Sequence, residues 1–308
     1  MWAGKSGVPP MAAQELTAVS ADGARIHVEV HGRKDAPSVV LVHGWTCQAA
    51  FWARVTRALA VDHRVVLYDQ RGHGRSPATR RFRYTTHALA DDLEAVLREA
   101  LSPGERAVIT GHSMGGMAVM AAAGRQVLPE HAAAVVLCST GGSRLLAESR
   151  VVPLHSERLR SRVHRTLLGS RAPLGPVTPL SRRILQYAAM GPRATPETVL
   201  ECARIVHACP PRVRAGWGRV LAGMDLEAHL PRLTMPTAVI VGAADRLTPA
   251  VHARRIAAGL PQCAGLTELA GVGHMTPLEA PEPVIGIIRL LVRDYMTTPA
   301  REAGLRHG

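Results

Sequence analysis

The run Gly111-His112-Ser113-Met114-Gly115 sets a serine hydroxyl between two glycines, after an apolar β-branched stretch and before a helical one. A serine hydroxyl is a weak nucleophile and attacks a carbonyl only when a neighbouring base takes its proton. A strand that turns sharply into a helix lifts such a serine above its sheet. Glycine on either side removes the Cβ atoms that would collide with the neighbouring strand and helix. The helix starting at Met114 also points backbone N–H groups at any developing negative charge. Ser113 is therefore the expected nucleophile.

A base and a carboxylate to orient it should follow. Asp245 ends the apolar run TAVIVGAAD, and His274 lies in Gly271-Val272-Gly273-His274-Met275, just after the next strand. Alone, Asp245 reads equally well as a helix N-cap and His274 as a surface histidine. In this order, at the ends of successive strands, they read as a carboxylate and an imidazole converging on one sheet edge. The oxyanion would need two N–H donors. The Met114 amide follows the nucleophile, and the Trp45 amide follows the turn His43-Gly44. Trp45, Met114, Thr140 and Met275 are the expected pocket lining. Tyr187 and Trp217, the only aromatic residues of segment 141–225, are candidates for facing a cleft. His43 and His112 read as hydrogen-bonding supports, Met117 and Met120 as core, and Asp69-Gln70-Arg71-Gly72-His73-Gly74-Arg75-Ser76 as a brace at the sheet top.

The elements that must position these groups alternate along the chain. RIHVEVH at 25–31 alternates apolar and polar, as an exposed antiparallel strand does. Continuous apolar runs at 38–44, 63–69, 106–112, 132–140 and 237–245 read as strands buried on both faces, with a further strand at 265–271. Helical spacing falls at 49–60, 85–100, 114–124, 250–260 and 283–295. Strands alternating with helices predict an α/β architecture with a mostly parallel sheet covered on both sides. Segment 141–225 breaks the alternation, with helical stretches near 155–168, 179–190, 196–208 and 212–224. It reads as a helical cap inserted into a core of 17–140 and 226–296, flanked by a disordered tail at 1–16 and a C-terminal tail at 297–308. Met11 is a second candidate start.

The chain has 308 residues and a formal charge of +13. Only two of its 37 basic residues are lysines and it has no asparagine, which points to GC-rich coding rather than to nucleic-acid binding. Segment 141–225 nevertheless carries fourteen arginines against five acids, a net of +9, which reads as a solvated basic face or as a patch that could dock an anionic surface or carrier. Cys47, Cys138, Cys202, Cys209 and Cys263 show neither disulfide nor zinc spacing, so buried reduced thiols are expected. No apolar run is long enough to span a membrane and the N-terminus lacks a signal-peptide core. A cytoplasmic protein follows as the expectation.

VLVHGW (40–45), YDQRGHGRS (68–76), GHSMGG (111–116), VGAADRLTP (241–249) and GVGHM (271–275) occur in an order that resembles the α/β-hydrolase superfamily. The similarity is to its capped esterase, monoglyceride-lipase and haloperoxidase-like group, over roughly residues 25–295. The resemblance implies the α/β-hydrolase fold with an eight-stranded sheet, a Ser113/Asp245/His274 triad and a cap over the site. No metal or organic cofactor is expected. The expected reaction is hydrolysis of a carboxylic ester of a small or medium hydrophobic substrate. The same triad supports a thioesterase, lactonase, C–C hydrolase, acyltransferase or perhydrolase (haloperoxidase). A ligand receptor with weak turnover is the reading from another class. Oligomeric state is left open.

Overall fold

Eight strands hydrogen-bond into one sheet in the computed structural model of the protein, which describes residues 14–78 and 84–296. They are β1 (Gln14–Val19), β2 (Arg25–His31), β3 (Ser38–Val42), β4 (Arg64–Tyr68), β5 (Ala107–His112), β6 (Ala132–Cys138), β7 (Thr237–Gly242) and β8 (Cys263–Leu269). Their order across the sheet is β1-β2-β4-β3-β5-β6-β7-β8. β1 and β2 pair antiparallel, as do β2 and β4, and the other pairs are parallel.

Every residue of β3, β5, β6 and β7 is buried, which is why these strands read as unbroken apolar runs. Successive side chains still alternate between two packed faces. Val40, Val42, Ile109, Val135 and Val239 meet helices Thr86–Ala100, Met114–Ala122 and Ala250–Gly259. Val39, Leu41, Val108, Val136 and Ile240 meet helices Ala53–Leu59 and Pro281–Tyr295. Thr85 caps the longest helix of the first layer by accepting the Ala88 N–H.

Two edges differ from the sequence reading. The strand at 25–31 is antiparallel and alternating as expected, but only Arg25 along it is exposed, and β1 pairs with its outer edge in register Gln14↔Val30. Residues 14–16, placed in the disordered tail from sequence, thus lie in a strand. QELTAV is short and mostly exposed. It is held by main-chain hydrogen bonds that leave no apolar signature. At the opposite edge, β8 starts at Cys263 and is exposed along most of its length. Cys263 is therefore an exposed thiol, against the expectation of five buried ones, whereas Cys47, Cys138, Cys202 and Cys209 are buried. Burial pushes the Cys138 thiol up to about 12. Met11 and the remainder of both tails fall outside the described residues.

Between β6 and β7 the chain leaves the sheet and forms helices Glu157–Gly169, Pro179–Ala189, Pro196–Ala208 and Pro211–Leu221. Ser156, Thr178 and Thr195 cap the first three through their hydroxyl oxygens. The last two helices form an inner layer that buries Val199, Cys202, Val213 and Trp217 against the core. The first two lie outside and bury only His164 and Ala189 fully. Among the described residues, no helix is long and apolar enough to cross a membrane.

Candidate active site

Ser113 follows β5 directly, with φ 51° and ψ −119°. An L-residue at such a positive φ stores on the order of 1–3 kcal/mol, which the surrounding packing must hold. Glycine is obligatory on the helix side. A Cβ on Gly115 would stand 2.2 Å from the Val42 carbonyl oxygen, and one on Gly111 would stand 2.5 Å from the Gly115 oxygen. The turn is pinned by its own main chain. Ser113 N–H donates to the Cys138 carbonyl at 2.9 Å, and the Thr140 hydroxyl donates to the Ser113 carbonyl at 2.8 Å.

The three sequence-identified groups meet. His274 Nε2 is 3.0 Å from Ser113 Oγ, and His274 Nδ1 is 2.8 Å from Asp245 Oδ2. With a carboxylate at Nδ1, that nitrogen carries the proton and Nε2 is left to accept the serine hydroxyl. Asp245 is buried, and its other oxygen accepts the amides of Leu247 (2.8 Å) and Thr248 (2.9 Å). Thr248 Oγ1 lies 2.9 Å from Asp245 Oδ2, 3.1 Å from the Ser139 carbonyl oxygen and 3.2 Å from His274 Nδ1. The N-cap of the following helix is Pro249, so Asp245 orders the loop ahead of that helix rather than capping it.

The backbone at His274 is held from several sides. Its N–H donates to the Ala189 carbonyl at 2.9 Å, and its carbonyl accepts His112 Nε2–H at 2.8 Å. Glu279, which the sequence reading missed, takes the flanking amides. Its carboxylate accepts N–H groups from Gly273 (3.0 Å), Met275 (3.1 Å) and, across the insertion, Gly191 (2.7 Å). Burial raises this carboxyl above its ordinary range, and the three amides and His274 pull the other way. A glycine-rich loop leaves amides that need an acceptor, and an acid five residues past the histidine was the available signal.

Buried neutral histidines surround the site. His43 donates Nδ1–H to the Gly44 carbonyl (2.8 Å) and accepts the Gln70 amide at Nε2 (2.9 Å), and burial lowers it to about 4. His73 accepts the Thr46 amide at 3.2 Å, and burial with neighbouring His43 lowers it to about 3. His112 is held well below the usual histidine range by burial and by His274. The segment 69–76 braces the sheet top. Asp69 accepts amides of Ala49 (2.7 Å) and Arg75 (2.8 Å), and the buried Arg71 guanidinium reaches Asp92 (2.6 Å) and Asp22 (2.9 Å).

The loop after β3 passes directly over the nucleophile, since a Cβ on Gly44 would lie 3.0 Å from Ser113 Cβ. The amide of Met114 is the first of its helix and has no partner within it. Trp45 is half-buried and donates its indole N–H to the Arg214 carbonyl at 3.0 Å, which ties this loop to the insertion.

The residues expected to line a pocket fall in different settings. Met114 and Met275 are buried in the two hydrophobic layers. Thr140 sits at the elbow, but its hydroxyl is engaged by the Ser113 carbonyl and supports the turn. Trp217 faces no open cleft. It is fully buried, donates its indole N–H to the Arg71 carbonyl at 3.2 Å and meets the Tyr84 ring edge-on at 5.1 Å. A large aromatic in an otherwise polar insertion marks its seam with the core. Tyr187 lies on the outer surface with the Arg246 guanidinium 4.6 Å above its ring. Among the described residues no cluster of three or more His, Cys, Asp or Glu could hold a metal.

Residues 37–281 match the model of the alpha/beta hydrolase fold family. A Stutzerimonas stutzeri protein, provisionally named a carbamate hydrolase, is 31% identical over 84% of this chain and 93% of its own length. A pimeloyl-[acyl-carrier protein] methyl ester esterase of Vibrio vulnificus is 27% identical over 77% of this chain and 86% of its own. The solved structure of a thermophilic esterase from Thermogutta terrifontis superposes with a TM-score of 0.74 at 24% identity. That match covers 92% of this chain and all of the other.

Proposed function

The chain belongs to the α/β-hydrolase family, and from that premise we propose that it is a serine hydrolase cleaving a carboxylic ester through an acyl-enzyme on Ser113. The observation that carries this reading is the continuous hydrogen-bonded line from Ser113 Oγ through the His274 ring to Asp245, at 3.0 and 2.8 Å. His274 Nε2 takes the hydroxyl proton as Ser113 Oγ bonds to the ester carbonyl carbon. The carbonyl oxygen becomes an oxyanion facing the Met114 and Trp45 amides, where each donor contributes about 3–4 kcal/mol to the transition state. His274 then protonates the departing alkoxide, and the C–O bond to the alcohol breaks. Water repeats the sequence on the acyl-enzyme, giving its proton to His274 and releasing the acid and free Ser113. Asp245 keeps the imidazole in the required tautomer and stabilises its cation.

The ester and carbamate in the relatives' names are both carbonyl compounds, which supports a carbonyl substrate here. Segment 141–225 serves in this reading as a cap, tied to the catalytic loops through Trp45–Arg214 and Ala189–His274. Thioesters and lactones are the nearest alternative substrates, because the same acyl-enzyme forms. The test is a panel of chromogenic esters, thioesters and lactones of graded chain length, run with wild type and Ser113→Ala. Turnover of at least one class that disappears in Ser113→Ala is expected. Undiminished turnover in that variant refutes the reading.

A further inference from the structure

Twelve large apolar side chains are exposed among the described residues, and six of them fall between positions 159 and 187. That concentration is not the scatter of single apolar residues usual on a surface. On helix Pro179–Ala189, Leu180, Arg183, Ile184 and Tyr187 follow the i, i+3, i+4, i+7 spacing of one face, and all are exposed. Leu180 is 68% exposed and Ile184 60%. A surface helix ordinarily turns such a stripe inward, and this one turns it out.

Charge comes from Arg182 and Arg183 on this helix and from the outer helix that precedes it in the chain. Arg158, Arg162 and Arg165 share an exposed face of Glu157–Gly169 and line a shallow groove with Ser156, Leu159 and Ser161. From residue 149 to 196 the sequence has nine arginines and one carboxylate, Glu157. Glu157 lies 3.6 Å from Arg144, and no ion pair among the described residues reaches Arg158, Arg162, Arg165, Arg182 or Arg183. The apolar stripe ends at the catalytic rim. Tyr187 gives its carbonyl to Arg246, beside Asp245, and the Ala189 carbonyl accepts the His274 amide.

Three occupants compete for such a surface. A second copy in a two-fold contact would set this patch against itself and oppose arginines to arginines. An acidic protein would satisfy the arginines but would also need an apolar groove matched to the length of the stripe. An anionic bilayer satisfies both features, with phosphates for the guanidinium forks and the acyl boundary for leucine and isoleucine. We propose that the outer layer of the insertion is a docking surface for an anionic phospholipid bilayer, which seats the rim of the Ser113 site against the lipid. Its service to catalysis rests on the ester-hydrolase reading above, whereas the binding itself does not.

The test is co-sedimentation of the full chain with vesicles of phosphatidylcholine containing about one-third phosphatidylglycerol, against phosphatidylcholine alone. Wild type should partition onto the anionic vesicles, and about 0.5 M salt should release most of it. Leu180→Asp with Ile184→Asp, and separately Arg158→Glu with Arg162→Glu and Arg165→Glu, should each lower the partition coefficient at least about tenfold. Both variants should keep turnover of a water-soluble ester within about twofold of wild type, since the positions are exposed. Wild type remaining in the supernatant, or variants that bind equally well, would overturn the proposal. So would capture by an acidic carrier protein, or a dimer broken by the Leu180/Ile184 changes, without vesicle binding. Measuring partition and turnover on the same wild-type protein separates the two readings: partition without turnover sinks only the hydrolase, and turnover without partition sinks only the docking.

Discussion

The top of the sheet and the outer layer of the insertion are built on opposite terms. At the sheet top, strands whose every side chain is buried end in loops whose amides are matched to named acceptors. In the outer insertion, helices Glu157–Gly169 and Pro179–Ala189 bury almost nothing fully, and among the described residues no carboxylate pairs with Arg158, Arg162, Arg165, Arg182 or Arg183. A group placed within tenths of an ångström needs a dry, overdetermined surround, whereas a surface for an extended partner needs side chains left unsatisfied. One chain keeps these demands apart by inserting the second region between β6 and β7.

The comparison breaks first if the sheet top is not the chemical end. Ser113→Ala and His274→Ala should each reduce kcat/KM for the best ester by about 10⁴-fold or more, with the circular dichroism spectrum unchanged. A loss below about tenfold would move the chemistry elsewhere.

The dry surround has a pH signature. His43 and His73 are lowered to about 4 and 3, and His112 is lowered as well, all by burial. Unfolded histidines titrate near 6.5, so below that pH the unfolded chain takes up protons that these folded residues refuse. Their stabilisation is complete above about 6.5 and is lost as pH falls. His43 and His73 together cost up to about 2.5 kcal/mol between pH 7 and 5.5, and His112 acts in the same direction. The buried carboxyls of Asp69, Asp92 and Glu279 are raised by burial and act with the opposite sign, which trims the loss at the acid end. Urea midpoints at the two pH values measure it, and equal midpoints would show that the histidines are not dry.

Glu279 is the acceptor on which the His274 loop depends. Glu279→Gln keeps the volume but sets an NH₂ among three amide donors, so the His274 loop loses an acceptor. A displacement of about 1 Å can cost on the order of a hundredfold in rate. The expected result is a 10–100-fold fall in kcat, by that estimate, with KM little changed. A change in KM alone would assign Glu279 to packing between the loop and Gly191.

The sequence was legible where spacing is forced by geometry. Gly115 has no room for a Cβ beside Val42, and strands packed on both faces must be apolar throughout, so the elbow and the central strands could be read directly. Asp245 could be placed because it follows such a strand, and His274 because it sits in the glycine-flanked loop after the next one, exposed β8. β1 could not, since main-chain pairing leaves no side-chain pattern in QELTAV. Glu279 could not, because its role depends on three amides, one of them 88 residues away in the chain. Trp217 was misjudged because an aromatic in a polar segment marks a seam as readily as a cleft.

The smallest expected effect tests the other half of the contrast. A leucine buried in either face of the sheet should cost about 2–5 kcal/mol when cut to alanine. Leu180→Ser and Ile184→Ser, made singly, should each shift the urea midpoint by less than the equivalent of about 0.5 kcal/mol, because water already covers both side chains. They should also leave kcat/KM on a soluble ester within about twofold. The measurement bears on occupancy as well as packing. A loss above about 1 kcal/mol would mean that something in solution already covers the stripe, and repeating the titration across protein concentration identifies it. A concentration-dependent midpoint points to a second copy, and a concentration-independent one to the chain's own packing; either erases the difference between the two regions.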